Sequence, residues 1–384
     1  MKPFFVKKKQ EQWYDISEID KTDAVYRLII GERSNGKTYS VIKKVLDAWF
    51  DEGLPSAYIR RYAEDITPGN LKDLINPFIE YIKKRSKGKY NNVIYRSNCF
   101  TLCYIDKDGK TKEKASTPLL FTCAISNYER SKGSDKGEIK YFIYDEFMTR
   151  AAYLADEFVK FTNVHSSFVR ARAGVITYMI ANTVNKFCPY FEEMGIKEVE
   201  SMKQGEIYLY KYNDKKLTVA VEYCASPEAK KDVQYYYAFE NEALKMIKDG
   251  SWEEGMYPHI PRNGFSVSQQ TIIYKFFLQF GENLLVGELH TQGRQFFLFF
   301  HRFGNSEYNI KDTDLLYTNQ PTMNLFWLHS FSDVPVVYKD EKFLNLLKII
   351  NRCMAYKKVY FASNSVGEIV RNFVLNPFDW MVRK

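Results

Sequence analysis

The chain has 384 residues, 45% of them hydrophobic and 27% charged, which is ordinary globular usage. Two or three domains fit that length, and a disordered chain, a collagen-like repeat and a small disulfide scaffold are excluded. Fifty-five Lys and Arg stand against 47 Asp and Glu, a net charge of +8, which permits an anionic partner without requiring one.

The six cysteines, Cys99, Cys103, Cys123, Cys188, Cys224 and Cys353, form no Cys-x-x-Cys pair and no zinc-finger spacing. They read as reduced, mostly buried thiols of a cytosol. The opening MKPFFVKKKQEQWYD lacks the apolar run of a signal peptide. No stretch approaches the ~20 apolar residues of a membrane span, so the expectation is a soluble intracellular protein with no membrane partner.

In chain order, AVYRLIIG (24–31) predicts a strand. From Thr38 onward, Val41, Val45 and Trp49 recur every four residues with Lys43, Lys44 and Asp47 between them, the pattern of an amphipathic helix. SAYIRR (56–61) predicts a second strand. Residues 71–85 carry Leu74, Phe78 and Ile82 on one helical face, and Pro77 predicts a kink or a fresh start there. NVIYRSNCFTLCYI (92–105) reads as a hairpin, followed by the turn signal Asp108-Gly109. Strands are expected at 119–125 and 139–145, a helix from Ala152 to Arg170, and a strand at 175–182. This alternation predicts an α/β sheet built by right-handed crossovers. Ser226-Pro227-Glu228 opens and Asp249-Gly250 closes a predicted linking helix. Beyond Tyr257, TIIYKFFLQF, NLLVGEL and RQFFLFFHRF predict a meander. A helix at 342–354 and a strand at 359–362 complete a second, α+β domain.

The strongest motif is GERSNGKT: Gly31, Glu32, Arg33, Ser34, Asn35, Gly36, Lys37 and Thr38. It matches G-x-x-x-x-G-K-[ST] between a strand and a helix, the setting a P-loop needs. Glycines let the backbone wrap a phosphate, successive N–H groups point inward, and the helix N-terminus adds partial positive charge. Lys37 is expected on the β- and γ-phosphates and Thr38 on Mg²⁺, which makes ATP and Mg²⁺ the expected cofactors. The competing explanation is a glycine-containing turn with an accidental lysine. In IKYFIYDEF an apolar strand ends at Asp145-Glu146. Asp145 is expected near the metal and Glu146 as the general base for the attacking water. Many strands end in exposed acids, so this pair gains weight from the loop about a hundred residues upstream.

Arg170 and Arg172 follow the next helix. Each reads either as an arginine finger for a neighbouring subunit's nucleotide or as a solvated helix-end cation. Asn182 ends the strand ITYMIAN, as a γ-phosphate sensor or as a turn residue. Arg60-Arg61, the run 83–89 and the loop holding Arg130, Lys132 and Lys136 are candidate sequence-blind DNA contacts; each alone also fits a solvated face. The five His residues show no metal or triad spacing. The Phe-rich strand 272–280 carries no carboxylate, which argues against a two-metal nuclease.

YRLIIGERSNGKTYSV, AYIRRYAED, YFIYDEF, FVRARAG and IANTVNKFCPYF stand in the order and spacing of the encapsidation proteins of phi29-like tailed phages, and residues 24–191 resemble that family. The resemblance implies an additional-strand P-loop ATPase that packages double-stranded DNA. It would act as a homomeric ring, a pentamer, at the portal vertex of a procapsid, in the host cytoplasm and not in the mature virion. It also implies that Lys37 and Thr38 serve phosphate and Mg²⁺, Asp145 the metal side and Glu146 the base. Arg170 fits the trans-acting finger better than Arg172, and Asn182 falls where γ-phosphate state couples to movement. The loop around Lys132 is the expected DNA grip. The resemblance further implies a C-terminal domain similar to RNase H-like nucleases that have lost their acids, and a small packaging RNA between motor and portal. The expected division is an ATPase domain 1–222, a helical linker 223–256 and an inactive nuclease-like domain 257–384. One departure is Ala63, where relatives can carry a basic residue; a trans role at that site would fall to Arg60 or Arg61. The alternatives are another P-loop helicase or partitioning ATPase, or a non-hydrolysing nucleic-acid scaffold.

Overall fold

In the computed structural model, residues 6–7, 13–127, 137–170, 172–183, 187–212, 217–225, 255, 257–259, 272–292, 295–304, 310–311, 314–318, 322, 327–333 and 340–375 are described. The chain divides into two units, Met1–Arg150 with Asp156–Glu253, and Ala151–Ala155 with Glu254–Lys384. No helix of the described residues is long and apolar enough to cross a membrane.

The first unit runs β1 (Val6–Lys7), α1 (Ser17–Asp20), β2 (Tyr26–Gly31), α2 (Lys37–Glu52), β3 (Ser56–Arg60), α3 (Pro68–Ile75), α4 (Ile79–Arg85), β4 (Asn92–Arg96), β5 (Cys99–Ile105), β6 (Thr111–Lys114) and β7 (Leu120–Ala124). It continues with β8 (Tyr141–Asp145), α5 (Glu157–Val169), β9 (Ile176–Asn182), α6 (Pro189–Glu193), β10 (Glu206–Tyr212) and β11 (Leu217–Tyr223). One mixed sheet results, in the order β1-β10-β11-β2-β9-β8-β3-β7-β5-β4, with β6 also paired to β5. The central strands from β11 to β7 are parallel and buried almost throughout, as a sheet covered on both faces requires. The expected crossover sheet is therefore present at the centre. At one end β4 and β5 form the antiparallel hairpin expected over 92–105, and β6 pairs with β5 beyond the Asp108-Gly109 turn; at the other end β1, β10 and β11, which were not expected, pair antiparallel. The connections β4–β5, β5–β6 and β10–β11 join consecutive strands and are too short for crossovers.

Local chemistry explains the boundaries. The apolar stripe of α2 (Val41, Ile42, Val45 and Leu46) packs in one cluster with Ile29, Tyr58, Ile143 and Ile180 of the sheet. Gly53 stops the helix at φ 72. Pro77 sits in a 3₁₀ turn that splits the predicted helix into α3 and α4. The helix expected from Ala152 begins only at Glu157, because Asp156 takes φ 51 and cannot continue a helix. Neither β10 nor β11 is among the elements expected from sequence. The predicted linking helix at 226–250 lies outside the described residues.

The second unit holds β12 (Ile272–Phe280), β13 (Asn283–Gln292), β14 (Gln295–Arg302), β15 (Leu316–Thr318), β16 (Trp327–Leu328), α7 (Glu341–Ala355), β17 (Val359–Phe361) and α8 (Asn364–Leu375). The sheet order is β16-β15-β12-β13-β14-β17. The expected meander β12-β13-β14 is antiparallel; β15 joins β12, β16 joins β15 and β17 joins β14 in parallel. Its core is aromatic: Phe276 meets Phe300, Tyr317 and Phe331 edge to face. Position 287 must be glycine, since the Phe276 ring passes 2.4 Å from where a Cβ would stand.

Candidate functional site

The parallel strands β2, β9, β8 and β3 end on one edge of the first sheet, where the β2–α2 loop emerges. Gly31 lies opposite Asn182, and Asp145 opposite Ile180. Register alone thus brings three distant motifs together. Ser34 (φ 57) and Gly36 (φ 97) take left-handed backbone and turn the loop. Lys37 opens α2. Beside it lies a cavity of about 240 Å³ lined by Ser34, Lys37, Thr38, Asp145, Glu146 and Asn182, among others.

The loop is braced from its outer side. The Tyr14 N–H donates to the Asn35 carbonyl at 3.0 Å. Ser40 Oγ donates to the Tyr14 carbonyl at 2.7 Å, and the Tyr14 hydroxyl to the buried Glu222 carboxylate at 2.8 Å. Glu32 and Asn35 are buried, whereas Arg33 and Ser34 are exposed. The Lys37 ammonium is buried and donates to the Glu32 carbonyl at 2.5 Å, to Asn35 Oδ1 at 3.1 Å and to Asn182 Oδ1 at 3.4 Å.

Thr38 Oγ1 stands 3.4 and 3.3 Å from the two Asp145 oxygens. Asp145 also accepts from the Tyr58 hydroxyl at 2.9 Å, with Arg60 Nη1 4.0 Å away. Burial pushes its carboxyl above the usual carboxylate range, and Arg60 and Tyr58 act against that. Glu146 takes φ 60, and its carboxylate pairs with Arg60 Nη2 at 2.6 Å.

Behind this layer Arg61 is buried. Its Nε donates to Glu157 Oε2 at 2.9 Å, its Nη1 to the Glu146 carbonyl at 3.1 Å and its Nη2 to the Phe147 carbonyl at 2.6 Å. Glu157, also buried, accepts from the Tyr144 and Tyr190 hydroxyls at 2.9 Å each. The network clamps the backbone at the left-handed Glu146, a conformation that non-glycine residues adopt rarely. The sequence singles out Arg61 only as a DNA contact or trans-acting residue, not as the buried clamp it is, and it does not single out Tyr58 or Glu157 at all. The signal lies in the pairing of β3 with β8, which no local motif encodes.

The remaining expected residues fall elsewhere. Arg170 caps α5 at φ 47 with its Nε donating to the Ser167 carbonyl at 3.4 Å. The thirteen residues of α5 carry it about 20 Å from Glu157. Arg172 donates to the Gly137 carbonyl, just upstream of β8. Neither arginine lines the cavity; both lie towards the opposite edge of the sheet. Of the two arginines to which a trans role would fall, Arg60 is paired with its own chain's Glu146 and Arg61 is buried in a network of its own chain. Arg130, Lys132 and Lys136 lie outside the described residues. Among the described residues, no group of three or more His, Cys, Asp or Glu side chains could hold a metal.

A sequence profile of the Podovirus DNA encapsidation protein (Gp16) family matches residues 8–210. No curated protein matches at a significant level. Among solved structures, the phi-28 gp11 DNA packaging motor is 17% identical with a TM-score of 0.49, covering 95% of this chain and 98% of that one. The phi-29 viral genome packaging motor assembly is 13% identical at 0.48, covering 94% and 97%. The N-terminal domain of the DNA packaging ATPase from bacteriophage phi29 is 17% identical at 0.44, covering 56% and 98%. The profile spans more than half of the chain, from the brace at Tyr14 through the β2–α2 loop to Asn182: this protein belongs to the Podovirus DNA encapsidation protein (Gp16) family and is a phage DNA-packaging motor ATPase.

Proposed function

We propose that this packaging ATPase hydrolyses ATP at residues 31–38 to drive double-stranded DNA into a procapsid, working as a ring of identical chains, a pentamer, at the portal vertex. The observation that carries the reading is the meeting of Lys37, Thr38, Asp145 and Glu146 around one cavity of about 240 Å³. The loop N–H groups and the α2 N-terminus offer partial positive charge to phosphates. Lys37 would exchange its neutral acceptors for phosphate oxygens, a stronger, charge-assisted bond. The Thr38 hydroxyl and Asp145 carboxylate, 3.3 Å apart, are oxygen donors that fit Mg²⁺, which takes one or two protein ligands and completes its shell with water and phosphate. Mg²⁺ there would neutralise charge on the β- and γ-phosphate oxygens. Glu146 would orient the attacking water, which requires its pair with Arg60 to open. Asn182, 3.4 Å from the Lys37 ammonium, would respond to the γ-phosphate.

Arg170 would serve a neighbour's cavity; its distance from its own supports a trans role. Arg130, Lys132 and Lys136 would grip DNA, and a packaging RNA would join motor to portal, in the host cytoplasm and outside the mature virion. In the second unit, an antiparallel meander continued by parallel β15 and β16 supports an RNase H-like reading. Phe276, Phe277 and Leu278 at the centre of β12, and Thr318 at the end of β15, supply no carboxylate for metals, which supports an inactive nuclease fold.

Glu146→Gln tests the assignment. It should bind a fluorescent ATP analogue with near wild-type affinity while turnover falls by about 10²–10⁴, the usual worth of a general base. Wild-type turnover would remove Glu146 from this role.

A further inference from the structure

Lys37 turns its donors onto its own chain. Its ammonium meets three neutral oxygens: the Glu32 carbonyl, Asn35 Oδ1 and Asn182 Oδ1. Asn35 takes a second donor from the same residue, since its Oδ1 also accepts from the Lys37 backbone N–H at 3.3 Å. That N–H and that ammonium are donors a P-loop offers to the phosphates of a nucleotide. One carboxamide oxygen therefore holds both donors that a phosphate oxygen would take. The amide can stand only this way round, because reversing it would set Nδ2 against an ammonium and an N–H. Asn35 lines the cavity of the candidate site and is only 1% exposed.

The other half of the amide makes this contact easy to give up. Asn35 Nδ2 is buried and has no hydrogen-bond partner among the described residues. It lies against Gly31, where a Cβ would stand 3.3 Å from it. Leaving a buried amide unpaired is destabilising, and that penalty ends when the side chain turns out to water. A phosphate oxygen carries charge where the amide oxygen carries only a dipole, so it is the stronger acceptor for an ammonium. The Glu32 carbonyl cannot leave Lys37 without moving the loop, whereas Asn35 can do so by side-chain rotation alone. We infer that the Asn35 carboxamide is a built-in competitor for the phosphate site. It holds the ammonium and the N–H of Lys37 until phosphate displaces it, and it lowers nucleotide affinity in proportion to the fraction of molecules in which it is engaged. The inference rests on the reading that residues 31–38 bind ATP, and it names a residue that sets how tightly they do so.

The test titrates the full chain with fluorescent ADP and Mg²⁺ and follows association and dissociation by stopped flow. Asn35→Ala removes the competing oxygen and should tighten ADP binding about fivefold or more. The gain should lie in the association rate, with dissociation near wild type, because the competing contact is gone once phosphate is bound. Asn35→Ser carries a hydroxyl one bond nearer the backbone, which leaves the ammonium free. It should shift in the same direction, and it carries the test where the alanine variant folds poorly. Pyrophosphate, displacing the probe, should gain by a like factor, since it has no base or ribose to respond to anything else. ADP binding that is unchanged or weaker in both variants overturns the proposal, as does tightening that comes wholly from slower dissociation. A wild-type chain that binds ADP no better than Lys37→Ala would give a different result: it would remove the nucleotide site itself, and this competitor with it.

Discussion

Glu146 owes its position to groups that make no contact with the cavity. Its backbone is held in the left-handed region by the Arg61 guanidinium, which reaches two successive carbonyls only because Glu157 anchors it from behind. Lysine has no fork to span those acceptors. Arg61→Lys should therefore lower kcat for ATP about tenfold or more while leaving nucleotide affinity near wild type, read by steady-state turnover beside a binding titration. An unchanged kcat would make the network merely structural. Arg61→Ala should go further and destabilise the fold by about 3–5 kcal/mol, the cost of stranding a buried carboxylate. At this scale the sequence is legible where chemistry is contiguous. Gly31 to Thr38 and Asp145-Glu146 read directly as motifs. Arg61 and Glu157 do not, because they lie 96 residues apart and meet only once β3 pairs with β8.

Elements divide in the same way. Strands buried on both faces and helices with a clean apolar stripe were readable: β2, β8, β9, α2 and α7. Pro77 marked the break between α3 and α4. Of the antiparallel edges the β4-β5 hairpin was readable, whereas β1, β10 and β11 were not, since register and partner are tertiary choices, and the start of α5 turned on one left-handed aspartate. In the second unit the chemistry of β13 also depends on partners. Glu288 faces Lys275 at 3.1 Å, His290 at 3.0 Å and His301 at 3.7 Å. Burial alone would raise the Glu288 carboxyl, but the contacts from His301, His290 and Lys275 outweigh it and pull it down to about 2. The Glu288 contact first, then others, raises His301 against burial. A lowered carboxylate stabilises above its unfolded value near 4.3 and loses that stability as pH falls towards 2. A raised histidine stabilises below its unfolded value near 6.5 and loses that as pH rises. Wild type should therefore exceed Glu288→Gln in melting temperature most between about pH 5 and 6.5, with the gap narrowing on both sides. A gap constant from pH 3 to about 9 would contradict the coupling.

At the scale of the first unit, the cavity beside Lys37 lies at one edge of the sheet, and Arg170 does not line it. That last placement was not legible in a single sequence, which names an arginine but not the chain it serves. Mixing decides it. Arg170→Ala subunits keep an intact loop, and Lys37→Ala subunits keep an intact arginine. An excess of the latter should restore turnover to the former if the finger acts between chains, and a mixture as inactive as its components would place Arg170 outside catalysis in trans.

The motor reading as a whole is tested most directly by following ATP turnover and procapsid-dependent protection of duplex DNA from nuclease in one reaction, for wild type, Lys37→Ala and Asp145→Asn. Both variants should lose turnover about 100-fold or more and protect no DNA. Either variant packaging DNA at the wild-type rate would show that the energy for encapsidation is released somewhere other than this cavity.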